Sequence, residues 1–95
     1  MARKKEEVTY SRISADILSF EKGVEHFDGL KAIRIVSRTY NLLILVGYLS
    51  LIGEIDGDLF LISDEGTIRE FRGVTGFYKH SKDAFEFILK GSSIA

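Results

Sequence analysis

The chain has 95 residues, enough for one domain with a single modest core. Hydrophobic residues make up 45% and charged residues 28% of it, a composition typical of folded proteins and far from that of disordered ones. The absence of cysteine excludes disulfides, thiol nucleophiles and cysteine-built zinc sites, and the net charge of -1 gives no overall attraction for nucleic acid.

A flexible N-terminal tail is predicted at residues 1–10, followed by one domain over residues 11–95. A short basic cluster in the tail is followed at once by two glutamates, which indicates a solvated segment and not an address signal. The most apolar stretch, residues 42–52, is about half the ~20 residues that span a bilayer. No apolar signal segment follows the basic start. We therefore expect a cytoplasmic protein with no direct membrane insertion.

Alternating polar and apolar residues predict strands in the first half of the domain. Residues 12–20 alternate imperfectly, residues 24–27 are a short return strand, and Asp28-Gly29 is a predicted turn. Residues 30–38 alternate clearly and predict a strand with one wet and one dry face. The continuous aliphatic run at 42–46 predicts a more deeply buried strand.

Two hairpins are predicted in the second half. Asp56-Gly57 is a two-residue hairpin signal, and it separates predicted strands at 49–55 and 59–62. The sequence Asp-Glu-Gly at 64–66 predicts a second hairpin leading into a strand at 67–71.

The end of the chain carries a helical signal. After an irregular strand at 73–78, Ser81 can cap a helix and Gly91 can end it. A stripe at helical spacing lies between them, formed by Ala84, Phe85, Ile88 and Leu89. The predicted fold class is mostly β: an antiparallel β-sandwich or flattened barrel of about seven to eight short strands with one short C-terminal helix.

The sequence offers few groups for catalysis. His26 and His80 are the two histidines, and their carboxylate neighbours are of a kind found on any surface. The acidic residues around Gly57 lack the full pattern of a calcium loop and are explained by hairpin geometry. No glycine leads into a helix start with a lysine, as a phosphate loop requires. We predict no catalytic residue, no metal site and no cofactor.

Several segments resemble the N-terminal β-sandwich domain of the epsilon subunit of rotary ATP synthases. The segment D-I-L-S at 16–19 matches the family's opening strand of the type D-V-V-S, and F-D-G at 27–29 matches its F-x-G step. An I-x-V strand follows at 33–36. The family's stretch L-x-I-x-P-G-H-x-P-L, with the apolar strand after it, is matched in part by Leu43, Leu45, Gly47, Tyr48, Leu51, Ile52, Ile55 and Gly57. Phe71, Thr75-Gly76 and Phe77 resemble the strand and glycine step that close the family's sandwich.

The resemblance implies docking to a stalk subunit or to the proteolipid ring, on a membrane complex. By that analogy the contact surface comprises the loop around residues 41–48 and the turn at 54–58, with Asn41, Gly47, Tyr48, Glu54, Asp56 and Asp58 as candidate contact residues. Val46 and Tyr48 depart from the family's proline and histidine, and one short helix stands where the family has two. Regulation and ATP sensing by that helical pair are therefore not implied.

Three alternatives remain open at this stage. The first is a stand-alone β-sandwich binding module with an unrelated partner, or with itself as partner through an exposed strand edge. The second is an oligonucleotide-binding barrel, since four tyrosines and several phenylalanines are available for stacking on bases. Few basic residues interleave with these aromatics, so we predict no nucleic-acid partner. The third is an enzyme, for which the sequence shows no convergent set of groups.

Overall fold

The computed structural model describes residues 11–92, which form six strands. The strands are β1 (Ile13–Ser19), β2 (Gly23–Ser37), β3 (Asn41–Leu45), β4 (Leu51–Ser63), β5 (Gly66–Ser81) and β6 (Ala84–Ser92). The predicted tail at 1–10 lies outside the described residues.

Five of the strands close into a barrel. The sheet order is β1-β6-β5-β4-β2-β3, and β1 also pairs with β2, which joins the two ends of the five-strand set. The β1–β6 pair is parallel and the other pairs are antiparallel. The prediction of a mostly β fold is confirmed, and of the two predicted forms the barrel is the one found. Closure satisfies backbone groups that would remain unpaired at the edges of an open sheet.

The strand β3 is the one element outside the closed barrel. It pairs with residues 32–36 of β2, on the edge that β1 occupies farther along the same strand. Ile44 nevertheless reaches the core and is fully buried. The sixth strand thus extends the sheet beyond the barrel while packing one side chain into its interior.

Alternation places one face of every strand in the core. A barrel of five strands has an interior that side chains fill completely, and branched aliphatic and aromatic residues do so here. The fully buried large side chains are Phe85, Phe87, Ile13, Ile17, Leu30, Ile33, Ile35, Ile44, Ile55, Leu59, Leu61 and His80.

Long strands replace several predicted pairs of short ones, so the predicted number of seven to eight strands is wrong. The predicted turn at Asp28-Gly29 is a bulge inside β2, where the β1–β2 register shifts and Gly29 takes a φ of 71°. The predicted hairpin at Asp56-Gly57 is likewise interior to β4. Gly57 is needed there because a Cβ would collide with the carbonyl oxygen of Val36 on β2.

Other turn predictions are confirmed. The chain turns at residues 20–22, between the strands predicted at 12–20 and 24–27, and Asp64 and Glu65 join β4 to β5. The hydroxyl of Ser63 accepts the backbone N–H of Glu65 at 3.1 Å, which supports that second turn. These turns coincide with clusters of polar residues that also interrupt the apolar pattern.

The predicted C-terminal helix is wrong. Residues 84–92 form strand β6, in which Phe85 and Phe87 are buried while Glu86 and Ile88 are exposed. The preceding turn contains Lys82 and Asp83, with φ of 53° and 62°, as a tight two-residue hairpin requires. Strand β6 pairs with β5 on one edge and with β1 on the other. An isolated helix of this length has no such partners and is only marginally stable in water.

Candidate partner-contact surface

Exposed apolar side chains concentrate on β3, on the β3–β4 loop (residues 46–50) and at the start of β4. Leu49 and Ile52 are the most exposed of them, at 79% and 78%. We call this set the β3 surface; it consists of Leu43, Leu45, Val46, Tyr48, Leu49 and Ile52. Clustered apolar exposure on a small domain marks a surface for interaction more often than scattered single residues do.

Hydrogen bonds give the β3–β4 loop a defined shape. Gly47 has a φ of 83°, and its N–H donates to Oδ1 of Asp83 at 2.8 Å. The N–H of Tyr48 donates to the carbonyl oxygen of Leu45 at 3.0 Å. The hydroxyls of Ser50 and Ser81 are 3.2 Å apart. The loop is therefore fastened to the β5–β6 turn and holds its apolar side chains outward.

The predicted contact residues divide between two places. Asn41 begins β3 and is exposed, while Gly47 and Tyr48 belong to the β3–β4 loop. The structure therefore places these three along β3 and at its end. Glu54, Asp56 and Asp58 lie inside β4 instead of on a protruding turn. Their predicted common turn is a strand, so that part of the surface has a different shape from the expected one.

The acidic residues of β4 mainly support the fold. Asp58 accepts the backbone N–H of Gly73 through Oδ1 at 3.0 Å, which ties β4 to β5. Asp56 forms an ion pair with Arg38 at 3.0 Å on the exposed surface. Glu54 is exposed, and the side chain of that residue is the one most available for contact with a partner.

A groove of about 560 Å³ separates the β2–β3 turn from the start of β4. Its lining includes residues 37–40 on one side and Ile52, Gly53 and Glu54 on the other. Ile52 belongs to both the groove and the β3 surface, so the two are continuous. Sequence reasoning missed this groove because its walls come from segments that the topology brings together.

Two tyrosines form the floor of the groove. The hydroxyl of Tyr40 donates to the backbone carbonyl of Glu54 at 2.6 Å, and it lies 3.2 Å from the hydroxyl of Tyr78. Because the Tyr40 hydrogen is directed to the carbonyl, Tyr78 donates to Tyr40. Burial and that hydrogen bond raise the pKa of Tyr78. The Tyr78 phenol therefore remains a neutral hydrogen-bonding group across the physiological pH range.

His26 lies on the outer face of β2 between two carboxylates. Its Nδ1 contacts Asp16 on β1 and its Nε2 lies 3.0 Å from Oδ1 of Asp28. The hydrogen bonds to Asp16 and then Asp28 raise the pKa of His26 above 6.5. The contribution of the protonated form to stability is therefore complete below 6.5 and is lost as the pH rises through the folded-state pKa.

His80 has the opposite environment. It lies in β5 and is fully buried, with the ring of Phe85 at a centroid distance of 6.2 Å. Within residues 11–92 neither ring nitrogen has a hydrogen-bond partner. Burial lowers the pKa of His80, and Asp83 opposes that effect only in part. The two histidines thus lie in different environments, one on the outer face of the barrel and the other inside it.

The grouping of possible metal ligands and the presence of long apolar helices are two features of residues 11–92 that bear on ligands and membranes. No three histidine or acidic side chains there are grouped so as to hold a metal ion. That same part of the chain contains no helix of the length and apolarity needed to cross a bilayer.

The fold and surface define a small β-barrel domain that presents an apolar edge. No protein-family model matches the chain, and no curated protein matches it. Its fold is similar to that of a chain in the cryo-EM structure of the mitochondrial ATP synthase of Tetrahymena thermophila, in the central stalk and c-ring. The TM-score is 0.63 and the sequence identity is 15%.

The likeness covers 85% of this chain and 65% of the other chain. At that identity it shows a shared small β fold and nothing finer. The two chains thus share a fold.

Proposed function

We propose that this domain is a non-catalytic docking domain whose β3 surface binds a subunit of the stalk or proteolipid ring of a rotary ATP synthase. The fold likeness to a chain of such a stalk and ring assembly supports the proposal, as does the resemblance of residues 16–77 to the epsilon sandwich. By the same reasoning the domain acts in the cytoplasm, peripheral to a membrane complex.

The observation that carries the proposal is the exposure of Leu49 and Ile52 on an ordered scaffold. Apolar side chains lose little conformational freedom on binding when their backbone is already fixed, so a fastened loop binds at a lower entropic cost. The hydrogen bonds from Gly47 to Asp83 and from Tyr48 to Leu45 provide that order. The adjoining groove adds polar groups, including the Glu54 carboxylate, at the rim of the apolar surface.

We propose that the domain has no catalytic role. Acid–base chemistry needs positioned groups that converge on one substrate. His26 contacts Asp16 and Asp28, but it is exposed and does not line the groove. His26 is on the outer face, His80 is in the core, and Asp56 and Asp58 form ion pairs that support the barrel. This placement of the titratable groups favours a contact surface over a reaction centre.

Leu49→Asp is expected to abolish docking. A charge placed at the most exposed apolar position of the loop would lose its hydration in an interface, and a central apolar contact contributes at least about 2 kcal/mol, or about thirtyfold in Kd. The measurement is biolayer interferometry of the domain against the purified stalk–ring subcomplex of the rotary ATP synthase from the same cells.

Ile68→Asp is the matched control. Ile68 is also an exposed apolar residue, at 47%, but it lies near the start of β5 and outside the β3 surface. We expect this variant to bind as the unaltered domain does. An equal loss of affinity in both variants would contradict the assignment of the surface. If the unaltered domain does not bind, the stalk and ring are eliminated as partners.

A second candidate function is self-association through the outside of the barrel. Val24, Leu18, Ile88 and Phe77 are aligned on four neighbouring strands by cross-strand pairing. Three of them are exposed, at 62% for Val24, 54% for Ile88 and 47% for Phe77. A row of this kind can bury itself against a second copy. Light scattering decides: a mass of two chains that Phe77→Asp reduces to one supports this candidate, and a mass of one chain eliminates it.

A further inference from the structure

The buried imidazole of His80 is an unusual component for this core. The other fully buried large side chains are hydrocarbon, whereas His80 carries two ring nitrogens that have no partner among the described residues. A buried polar group without a hydrogen bond costs about 1–3 kcal/mol, so an apolar residue would stabilise this position better. The position therefore carries a cost in stability that packing does not explain.

Protonation of His80 increases this cost in stability much further. A charged imidazole in an apolar site has neither water nor a hydrogen-bond acceptor, so the folded structure resists taking up the proton. The proton binds readily only when some neighbouring segment moves and admits water. Mild acid therefore favours conformations in which His80 is hydrated.

The β3–β4 loop is an exposed segment that adjoins His80. Residues 46–50 belong to no strand and all are exposed. Two hydrogen bonds fasten them to the β5–β6 turn, from Gly47 to Asp83 and between Ser50 and Ser81. Ser81 follows His80 directly, and Leu51, the first residue of β4 after the loop, is the cross-strand partner of His80. Movement of this loop breaks these hydrogen bonds without exposing a buried side chain of the loop itself.

We propose that protonation of His80 releases the β3–β4 loop, so that the β3 surface is ordered at neutral pH and loosened in mild acid. This inference rests on the proposed function, because it makes His80 a pH-dependent control of the same docking surface. The loop carries Tyr48 and Leu49, so its release removes two contact residues from their ordered positions.

The charges around His80 favour this direction. Asp83 is the carboxylate that acts on the imidazole, and its attraction does not outweigh burial. Lys82 lies beside Asp83 in the turn and is exposed. Strand β3 carries no charged residue. Near His80 in the strand register, the outward-facing charges of the other adjoining strands are Asp16 on β1, Glu54 on β4, Lys79 on β5 and Glu86 on β6.

The sign of the pH effect follows from linkage. The folded-state pKa of His80 lies below 6.5 because of burial, so an open state binds more protons in the range between the two values. The ordered loop therefore loses stability as the pH falls from 6.5 toward the folded-state pKa. Above 6.5 the imidazole is neutral in both states and the effect vanishes.

Amide hydrogen exchange by NMR tests the release in the domain alone. The reporters are the N–H groups of Gly47 and Tyr48, which are both hydrogen-bonded. After correction for intrinsic rates, their protection is expected to fall severalfold between about pH 7.5 and about pH 5. The ordinary imidazole pKa of 6.5 sets a ceiling of about thirtyfold at pH 5. Core amides of β2 and β4 should keep their protection.

Two apolar variants identify the responsible group. His80→Phe and His80→Leu should remove the pH dependence of loop protection, whereas His26→Gln should leave it intact. A dependence that persists in the His80 variants overturns the proposal, as does parallel loss of protection in the core. If neither variant folds, an NMR titration of the His80 ring decides the question. The pH midpoint of its chemical-shift change must coincide with the pH midpoint of the chemical-shift changes of the loop amides. These results do not involve a partner, so they are independent of the docking experiment.

Discussion

Phe87→Ala is expected to destabilise the domain by about 3–5 kcal/mol, the usual cost of removing a buried phenylalanine ring. Phe87 is fully buried in β6, and its cross-strand partners are Ile17 on β1 and Tyr78 on β5. The cavity would thus open where the first and last strands close the barrel. A small domain has a total stability of about 5–15 kcal/mol, so this loss is a large fraction of it. Urea denaturation followed by far-UV circular dichroism measures it.

Ile88→Ala is the control at the next residue. Ile88 is 54% exposed, so we expect a change of no more than about 1 kcal/mol. The pair also separates a strand from a helix, since the helical stripe predicted from the sequence would bury Ile88 and leave Phe87 on the polar side. A larger loss for Ile88→Ala than for Phe87→Ala would contradict strand β6.

The error at the C-terminus has a specific physical origin. The segment from Ala84 to Leu89 satisfies a helical stripe, but burial of Phe85 and Phe87 satisfies a period of two equally well. Only the free edges of β1 and β5 decide between the two, and those are tertiary features. The turn before β6 was not predictable from the sequence either. Lys82 and Asp83 occupy positions with positive φ where glycine or asparagine is typical.

Bulges explain why the predicted number of strands was too high. A glycine next to an acidic residue predicts a turn, and at Gly66, which follows Glu65, that prediction is confirmed, with a φ of 109°. At Gly29 and Gly57 the same signal marks points where one long strand bends to follow the barrel. Local sequence does not distinguish a reversal from a bend, because both need a residue without a Cβ.

The candidate site was predictable only in part. The resemblance to the epsilon sandwich implied a contact loop around residues 41–48, and the structure places Tyr48 in the β3–β4 loop. The deeper burial predicted from the apolar run at 42–46 is wrong, because Leu43 and Leu45 are exposed. The groove floor was not predictable, because Tyr40 and Tyr78 meet through contacts between distant segments. The burial of His80 was not foreseen either, although its position in the alternation of residues 74–80 places it on the same face as Val74 and Tyr78.

Gly57→Ala is expected to destabilise the domain by about 2–3 kcal/mol, although it adds a single methyl group. That Cβ would collide with the backbone carbonyl oxygen of Val36, which cannot rotate away as a side chain can. Relief therefore requires β2 and β4 to separate where Ser37 and Gly57 pair. Separation would also disturb the hydrogen bond at 3.0 Å between the N–H of Asp56 and the hydroxyl of Ser37. Urea denaturation monitored by tyrosine fluorescence measures the change.

Gly91→Ala provides the matched control, because its added Cβ would meet only Oγ1 of Thr75, at an ordinary contact distance of 3.7 Å. Reduced freedom of the unfolded chain should make that change neutral or stabilising by about 0.5 kcal/mol. The difference in the free energy of unfolding between the two variants separates the effect of the close approach of β2 to β4 from the general effect of replacing glycine. If Gly57→Ala were as stable as Gly91→Ala, β4 could not be continuous through Gly57 beside β2. The Asp56-Gly57 hairpin would then be the better description of this segment.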